Sequence, residues 1–281
     1  MRRFLDEISS RLAEAGIENP RSEARLLAAS VLKTSPGSLL FDNRTLSAGE
    51  KEQINAFVAE RLHHKPVCKI LGQKGFYKFD FKVSEDVLSP RPDTEVLVEA
   101  AIGAAAKLKN PKILDLGTGS GCIIISVLAD VPQAFGTAVD KSEKALAVAE
   151  ENSRRLNVGS RMNFINASWF DDDFVRRVGT GYDIIVSNPP YIPSGDIDGL
   201  EEDVKNYDPL MALDGGADGM EHYRRIAEVS VKILKPGGLI FLEGGINQER
   251  QIEEIFVGFG FSALRIIKDL AGINRCIILK K

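Results

Sequence analysis

The 281-residue chain has little cysteine, little histidine and no long apolar run. Its three cysteines lack Cys-x-x-Cys spacing, which favours reduced thiols over a disulfide framework or a metal site. No apolar stretch approaches the roughly 18 residues of a membrane helix. Asp6 and Glu7 stand too early for a secretory signal. We therefore expect a cytoplasmic protein with no metal ion and no membrane anchor.

The chain also lacks an excess of positive charge. It carries 36 Lys and Arg against 40 Asp and Glu, a net charge of −4. Residues 1–65 carry ten basic against nine acidic side chains, a net of +1. A protein that grips a nucleic-acid backbone usually presents a basic surface, so we expect no stable nucleic-acid binding. The histidines form no ligand pattern, and His222 stands alone.

The most informative feature that is present is Asn188–Tyr191, which follows the apolar run 183–187. Proline lacks an N–H and holds φ at about −65°, so Pro189 and Pro190 predict a stiff turn whose carbonyls point outward. The Asn188 side-chain oxygen and one proline carbonyl can each accept a hydrogen of a planar NH2 group, while Tyr191 stacks on its face. The alternative is an ordinary Asn-Pro turn after a strand.

A glycine-rich turn follows an earlier apolar strand at 113–116. Glycine lets the backbone turn sharply and lets a ligand approach closely. The spacing is not the dinucleotide fingerprint, since Cys122 takes the place of its third glycine, and no Gly-Lys-Ser/Thr ending marks a phosphate-binding loop. The turn consists of Gly117, Thr118, Gly119, Ser120 and Gly121.

Asp140 ends a second short strand, 135–139, about twenty residues after this turn. In a doubly wound sheet such a carboxylate lies beside the glycine-rich turn and can accept both ribose hydroxyls of an adenosine. A ligand with adenosine but no pyrophosphate fits both motifs. S-adenosylmethionine is the predicted cofactor.

The first part of the chain has a helical pattern of apolar residues. Helices are predicted over 4–15 and 21–33, and a third begins near Ser47. Glu50 stands three residues after Ser47, which is the spacing of a capping box. This helical segment either stabilises the larger domain or recognises the substrate.

Pro66 is expected to end the helices, and 69–75 is predicted as a strand and a turn. Apolar and polar residues alternate over 77–83, which predicts a β-hairpin. We divide the chain into a helical domain at 1–64, a linking β-hairpin at 65–88 and a larger domain at 89–281.

The larger domain alternates strands and helices, which predicts a parallel α/β sheet. Two terminal strands, 261–268 and 275–279, are too close in sequence for a parallel crossover and must pair antiparallel. A mostly parallel sheet with one antiparallel edge strand is the class I S-adenosylmethionine-dependent methyltransferase sheet. The other predicted strands are 112–116, 135–139, 162–165, 183–187 and 238–243, with helices at 121–129, 142–156 and 220–234.

Each candidate site residue follows a predicted strand. Ligands of open α/β sheets bind outside the carboxyl ends of the strands, where the strand order reverses. We therefore expect Gly117–Gly121, Asp140, Trp169 and Asn188 to line one crevice.

The motifs together resemble the protein-(glutamine-N5) methyltransferases that act on peptide-chain release factors, the HemK/PrmC family. The resemblance spans nearly the whole chain, including the helical segment and the hairpin. The stretches that carry it are 89–95 (SPRPDTE), 115–121 (DLGTGSG), 186–191 (VSNPPY), 212–219 (ALDGGADG) and 269–272 (DLAG).

The resemblance implies methyl transfer from S-adenosylmethionine, with S-adenosylhomocysteine as product, to the glutamine of the Gly-Gly-Gln motif of release factors in translation termination. It implies cofactor contacts at Gly117–Gly121, Asp140, Trp169 and Asn188, and a glutamine clamp at Asn188–Tyr191 with Asn188 and Pro189 in the catalytic role. The family has an acid before the tryptophan, whereas this chain has Ser168.

Three other functions stay open on sequence grounds. A ribosomal-protein glutamine methyltransferase would share the same clamp. A nucleic-acid adenine-N6 methyltransferase would need a basic target-recognition domain, against which the charge balance argues. A non-catalytic S-adenosylmethionine-binding protein would have no need of an intact clamp.

Overall fold

A computed structural model describes residues 1–42 and 44–281. The chain forms two compact units. The first comprises Met1–Gln73 and Glu201–Tyr207, and the second comprises Lys74–Leu200 and Asp208–Lys281. None of the helices in the described residues has the length and apolar character needed to cross a membrane.

The elements form the predicted α/β protein with a helical start, and the helices Phe174–Val178, Glu202–Lys205 and Glu249–Gly258 add to the predicted ones. The α-helices of the described residues are α1 (Arg2–Glu14), α2 (Pro20–Leu32), α3 (Ala48–Leu62), α4 (Val67–Leu71), α5 (Glu95–Ala105), α6 (Cys122–Asp130), α7 (Glu143–Arg155), α8 (Phe174–Val178), α9 (Glu202–Lys205), α10 (Glu221–Ile233) and α11 (Glu249–Gly258). The strands are β1 (Gln73–Phe76), β2 (Phe79–Lys82), β3 (Lys112–Leu116), β4 (Phe135–Asp140), β5 (Met162–Asn166), β6 (Tyr182–Ser187), β7 (Leu234–Glu243), β8 (Ser262–Lys268) and β9 (Asn274–Lys280).

The first unit is a small bundle of α1–α4 joined by α9. Its core consists of side chains at helical spacing, among them Ile8, Leu27 and Ile54, none of which is exposed to solvent. The predicted capping box at the start of α3 is confirmed, because Ser47 Oγ accepts from the Glu50 amide and Glu50 Oε2 accepts from the Ser47 amide. Two orphan donors of the first turn are thereby satisfied.

The segment that carries α9 is tied to this bundle by polar contacts. The Tyr207 hydroxyl donates to the His63 carbonyl at 2.6 Å, and His64 Nε2 lies 3.6 Å from a Glu202 carboxylate oxygen. The chain after Leu200 therefore leaves the second unit for seven residues and returns to it at Asp208.

The strand and turn predicted over 69–75 are wrong in their first part, because Val67–Leu71 forms helix α4 and the strand β1 begins only at Gln73. Pro66 does not end the helical region but precedes this helix, where its missing N–H costs nothing. Gly72 ends the helix with a φ of 70°. The apolar residues of α4 pack on the bundle core, which decides the conformation of this short segment. The predicted hairpin follows as β1 and β2.

The second unit is built on a seven-stranded sheet in the order β5-β4-β3-β6-β7-β9-β8. Strands β3 to β7 are parallel, whereas β9 runs antiparallel to both β7 and β8. The expected class I methyltransferase sheet with antiparallel pairing at one edge is confirmed. The structure adds that the reversed strand lies one position in from the edge, with β8 outside it.

Helices cover both faces of this sheet, and the strand sequences show why. Leu114 and Ile185 face one apolar cluster with α10 and α11, while Ile113 and Ile184 face another with α5 and α6. Strands buried on both faces read as continuous apolar runs. This explains why 113–116 and 183–187 contain so few polar residues.

The order of strands reverses between β3 and β6. The chain winds outward from β3 to β4 and β5 on one side, and from β6 to β7 on the other. Ser187 Oγ donates to the Leu116 carbonyl at 2.7 Å and joins the two carboxyl ends at this point. A crevice therefore opens where β3 and β6 end.

Candidate active site

A cavity of about 540 Å³ lies at the carboxyl ends of these strands, within the second unit. This volume suits a small organic ligand. Most of the sequence-predicted site residues line it: Gly117, Thr118, Gly119, Ser120, Asp140, Trp169, Asn188 and Pro190. The other three, Gly121, Pro189 and Tyr191, are not among the described residues that line it.

The glycine-rich turn forms one wall of the cavity. Gly117 has a φ of 76°, and a Cβ atom there would lie 3.3 Å from a ring carbon of Trp169. Glycine is therefore required both by the backbone conformation and by the indole above it. Gly121 lies outside the cavity because it begins α6 against Ile125 and Ala149.

Asp140 holds this turn in place. Its Oδ2 accepts from the Gly119 amide and its Oδ1 from the Ser142 amide, both at 2.9 Å. Burial raises the pKa of Asp140, while these backbone hydrogen bonds oppose the rise. Each carboxylate oxygen keeps a second lone pair, so the group can still accept ligand hydroxyls.

Asp115 lies beneath the turn and is completely buried. Its Oδ2 accepts from the Thr118 hydroxyl at 2.7 Å, and no described residue bonds its Oδ1. Burial raises the pKa of Asp115 to about 7, with Asp140 adding to the rise. The conformation of the turn is therefore supported by a carboxyl group that stays protonated to a higher pH than an ordinary aspartate.

Trp169 lines the cavity next to this turn, and 8% of its surface is exposed. Its Nε1 donates to His222 Nδ1 at 3.1 Å, and the two rings meet edge to face with centroids 5.5 Å apart. Phe170 also contacts His222, with centroids 5.3 Å apart. Ser168 lines the cavity, and its hydroxyl accepts from the Phe170 amide.

These groups fit an adenosine-bearing cofactor. Trp169 and Gly117 lie against each other in the lining of the cavity and offer an aromatic surface to a flat base. A carboxylate at the end of β4 suits ribose hydroxyls. No cluster of lysines or arginines that would bind a pyrophosphate lines the described cavity, whose basic residues are Arg91 and Lys141. The donor and acceptor set agrees with S-adenosylmethionine.

Asn188 and Pro189 present two free acceptors next to this wall. Asn188 Nδ2 lies 3.4 Å from Thr94 Oγ1, which orients the amide and leaves its Oδ1 available. Among the described residues, no donor bonds Asn188 Oδ1 or the Pro189 carbonyl. Asn188 is partly buried and lines the cavity, so these two oxygens are suited to a ligand that brings two N–H groups.

The backbone of Tyr191 is held by residues far away in sequence. Gln248 Nε2 donates to the Tyr191 carbonyl at 2.8 Å, and Gln248 Oε1 accepts from the Gly245 amide. Gly219 has a φ of 73°, and a Cβ atom there would lie 2.4 Å from the Tyr191 carbonyl oxygen. The stretch 212–219 therefore acts as the support on which the Asn188–Tyr191 turn rests.

Arg275 joins three further stretches behind the turn. Its guanidinium donates to Asp93 Oδ2 at 3.1 Å, Asp269 Oδ2 at 3.2 Å and the Gly244 carbonyl at 3.0 Å. Only 6% of this arginine is exposed. The motifs at 89–95 and 269–272 thus meet at one buried cation, which explains why they occur together.

Glu243 lies at the end of β7 with 1% of its surface exposed. Burial raises the pKa of Glu243 to about 7, while a hydrogen bond from Thr94 and the charge of Arg275 oppose the rise. Its Oε2 has no partner among the described residues. Thr94 therefore contacts both this carboxyl group and Asn188.

Several residues of the site were not predicted from the sequence. Glu243 had a recognisable signal, since an acid directly after an apolar strand lies at the carboxyl edge of the sheet. Thr94 belongs to a recognised motif but had no assigned role. His222, Gln248 and Arg275 carried no signal, because only folding brings them to the cavity or to the turn behind it. Across the described residues there is no group of three His, Cys, Asp or Glu side chains able to hold a metal ion.

Two family models match the chain. Residues 3–72 match the PrmC N-terminal domain, and residues 92–199 match the methyltransferase small domain. The fold is also similar to a solved methyltransferase from Pyrococcus furiosus, with a TM-score of 0.52 and 20% identity over 79% of this chain and 96% of that one.

Similar sequences extend over almost the entire chain. A release factor glutamine methyltransferase of Rhodospirillum rubrum is 44% identical over 280 residues, which cover 99% of this chain and 84% of that protein. A release factor glutamine methyltransferase of Caulobacter vibrioides is 40% identical over 275 residues, which cover 95% of this chain and 92% of that protein. The similarity covers both the helical unit and the cavity, and the chain belongs to the release factor glutamine methyltransferase family.

Proposed function

We propose that this protein transfers a methyl group from S-adenosylmethionine to the side-chain amide nitrogen of a glutamine in a peptide-chain release factor, the glutamine of its Gly-Gly-Gln motif. Family membership supports the reaction class and the substrate. The observation that carries the proposal is the pair of acceptors without a protein partner among the described residues, Asn188 Oδ1 and the Pro189 carbonyl, in the turn whose Asn188 lines the cavity.

The two acceptors match a primary amide. A glutamine NH2 group has two N–H donors, one for Asn188 Oδ1 and one for the Pro189 carbonyl. Holding both hydrogens fixes the nitrogen and favours the pyramidal geometry that its lone pair needs for attack. Tyr191 is proposed to stack on the amide plane. Correct placement of two reactants can supply roughly 7–11 kcal/mol of the barrier.

The cofactor residues are proposed to be Gly117–Gly121, Asp140, Trp169 and Asn188. Asp140 would accept the ribose hydroxyls and Trp169 would lie against the adenine. When bound, S-adenosylmethionine supplies a methyl group made electrophilic by the positive sulfonium, and S-adenosylhomocysteine is the product. The reaction forms a C–N bond, breaks a C–S bond and releases one amide proton to water.

The helical unit is proposed to recognise the release factor, since family members share it as a separate domain. A substrate that works in translation termination places the enzyme in the cytoplasm. The charge balance of the chain supports a protein partner over a nucleic acid.

The test is incubation of the purified protein with methyl-labelled S-adenosylmethionine and a release factor. A matched release factor carries asparagine in place of the Gly-Gly-Gln glutamine. We expect label in the first and none in the second. Equal labelling of both would refute the glutamine assignment, and label only in ribosomal proteins would move the enzyme to the sister reaction.

A further inference from the structure

The contact between Trp169 and His222 has a defined protonation state. His222 Nε2 lies 3.1 Å from the Asp214 carbonyl oxygen, which can only accept. Nε2 therefore carries the hydrogen. Nδ1 keeps its lone pair, and this lone pair accepts the Trp169 indole N–H at 3.1 Å. The hydrogen-bonded arrangement exists only while the imidazole is neutral.

Protonation would place two donors against each other. An Nδ1–H would face the indole N–H, so Trp169 would lose its hydrogen-bond partner or turn away from Gly117. The indole is not otherwise bonded through Nε1, and it contacts the glycine at a position with no side chain. A change of charge on His222 is thereby transmitted to the wall of the cavity.

We propose that His222 positions Trp169 for cofactor binding and that the neutral imidazole is the binding-competent form, so that protonation of His222 releases the cofactor. This inference depends on the proposed function only for the identity of the cofactor. His222 is a positioning residue: it acts on the cofactor through the indole.

The surroundings of His222 set the direction of its titration. Burial lowers its pKa below the ordinary 6.5, and the Asp214 carbonyl and the charges of Glu221 and Asp214 oppose this shift. Lys141, on the other side of the cavity, adds to the lowering. Cofactor affinity should fall as the pH drops through this lowered value. Asp140 and Asp115, which has a pKa of about 7, also lose their charge as the pH falls, so variants of His222 are needed to separate these effects.

The first experiment uses the emission of Trp169 in the ligand-free protein, since the chain has a single tryptophan. In the wild type we expect a transition in emission whose midpoint lies below pH 6.5, the ordinary value for histidine. His222→Asn places an amide oxygen near the position of Nδ1 and cannot titrate, so this transition should be absent from the variant, whereas any change that Asp115 or Asp140 causes should remain in both proteins. The same pH dependence of emission in wild type and His222→Asn overturns the inference.

The second experiment measures S-adenosylmethionine binding by calorimetry. His222→Phe keeps a ring but removes the acceptor, and should bind about tenfold more weakly at pH 8, as the loss of one hydrogen bond predicts. His222→Asn should restore most of the affinity and reduce its fall in acid. His63→Asn removes an imidazole from the helical unit and should retain the wild-type pH profile.

The outcomes distinguish this inference from the proposed function. Wild-type affinity in His222→Phe, or an unchanged pH profile in His222→Asn, refutes the positioning role while leaving methyl transfer intact. A wild-type protein that binds no S-adenosylmethionine refutes the cofactor assignment on which both rest. Thermal melting of each variant separates a loss of binding from a loss of fold.

Discussion

The glycine-rich turn and the Asn188–Tyr191 turn both contribute residues to one cavity, yet they are held by contacts of different range. Asp140 bonds Gly119 and Ser142, which are 21 and 2 residues away. Asn188 is oriented by Thr94, 94 residues away, and Tyr191 is bonded by Gln248, 57 residues away. The first turn is supported by neighbouring strand ends, whereas the second depends on several distant segments.

This difference in the range of contacts follows from the roles proposed for the two turns, cofactor binding for the first and amide binding for the second. A cofactor wall needs a close backbone approach, a carboxylate and an aromatic face, and each of these follows a single strand. A clamp for an amide needs two acceptor oxygens that have no hydrogen-bond partner within the protein. A framework of surrounding segments has to keep them away from the protein's own donors. We therefore expect substitutions at the first wall to affect cofactor affinity, and those at the second to affect turnover.

The largest effect is expected from Asn188→Ala. Removing one of the two acceptors should lower turnover by at least about 10³-fold, because the amide nitrogen loses its position and geometry. Cofactor affinity should change by less than about tenfold. Transfer of labelled methyl to a release factor and calorimetry measure the two quantities. Asn163→Ala, at an exposed position of β5, is the control. Turnover like that of the wild type in Asn188→Ala would exclude the clamp.

Asp140→Ala tests the other wall. Loss of a charged acceptor should weaken S-adenosylmethionine binding by about 10- to 100-fold, since hydrogen bonds to charged groups contribute about 1.5–3 kcal/mol. Turnover at saturating cofactor should fall far less. Calorimetry and cofactor-dependent kinetics check this result. Asp173→Ala, on the surface at α8, should leave both quantities unchanged. Unchanged affinity in Asp140→Ala would contradict the proposed ribose contact.

Gly219→Ala tests whether the distant support matters. The new Cβ atom would lie 2.4 Å from the Tyr191 carbonyl oxygen and must displace the turn. We expect turnover to fall by about tenfold, because an increase of about 1.4 kcal/mol in the activation free energy has that effect on the rate. Cofactor affinity should be retained. Gly260→Ala is the matched control, with a φ of 90° and no atom within 4 Å of the new Cβ. Equal losses in the two variants would attribute the effect to backbone strain alone.

Glu243→Gln tests how the buried carboxyl group near the Asn188–Tyr191 turn affects the stability of the folded protein. The folded-state pKa of about 7 lies above the ordinary 4.5, so ionising Glu243 disfavours the folded state. Its favourable contribution is full below about pH 4.5 and is lost as the pH rises through about 7. The variant should therefore be more stable than the wild type at pH 8, by at most about 3 kcal/mol, and nearly equal to it at pH 4.

Thermal melting of the Glu243→Gln variant at the two pH values measures this difference. Asp115 titrates in the same direction, so the quantity to compare is the difference between wild type and variant at each pH. Glu52→Gln changes an exposed acid of α3 and should show no such dependence. A variant that is less stable than the wild type at pH 8 would show that the charged form of Glu243 is favoured by Arg275.

Much of the fold could be predicted from the pattern of apolar residues. Strands β3 to β6 lie within one residue of their predicted bounds, and the central strands β3 and β6 do so because strands buried on both faces leave clear apolar runs. The error at α4 has the opposite cause. Five residues are too few to show a period, and packing on the bundle decided between helix and strand.

The site divides in the same way. The glycine-rich turn, Asp140 and Asn188–Tyr191 could be found in the sequence because each follows a recognisable strand. The sequence also determined the family, through several motifs that occur together. The sequence did not predict that three further residues belong to the site: Thr94, Gln248 and Arg275. Each makes a contact across more than 50 residues, and no local sequence pattern indicates such a contact.

His222 shows this division most clearly. In the sequence it is an isolated histidine, without a ligand pattern or an apolar period. The tertiary structure places its two nitrogens between an indole N–H and a carbonyl oxygen, and this placement selects one tautomer. Local sequence determines where strands end and which groups follow them. Only folding decides which distant partner meets each group, because a hydrogen bond depends on distance and direction in space and not on separation along the chain.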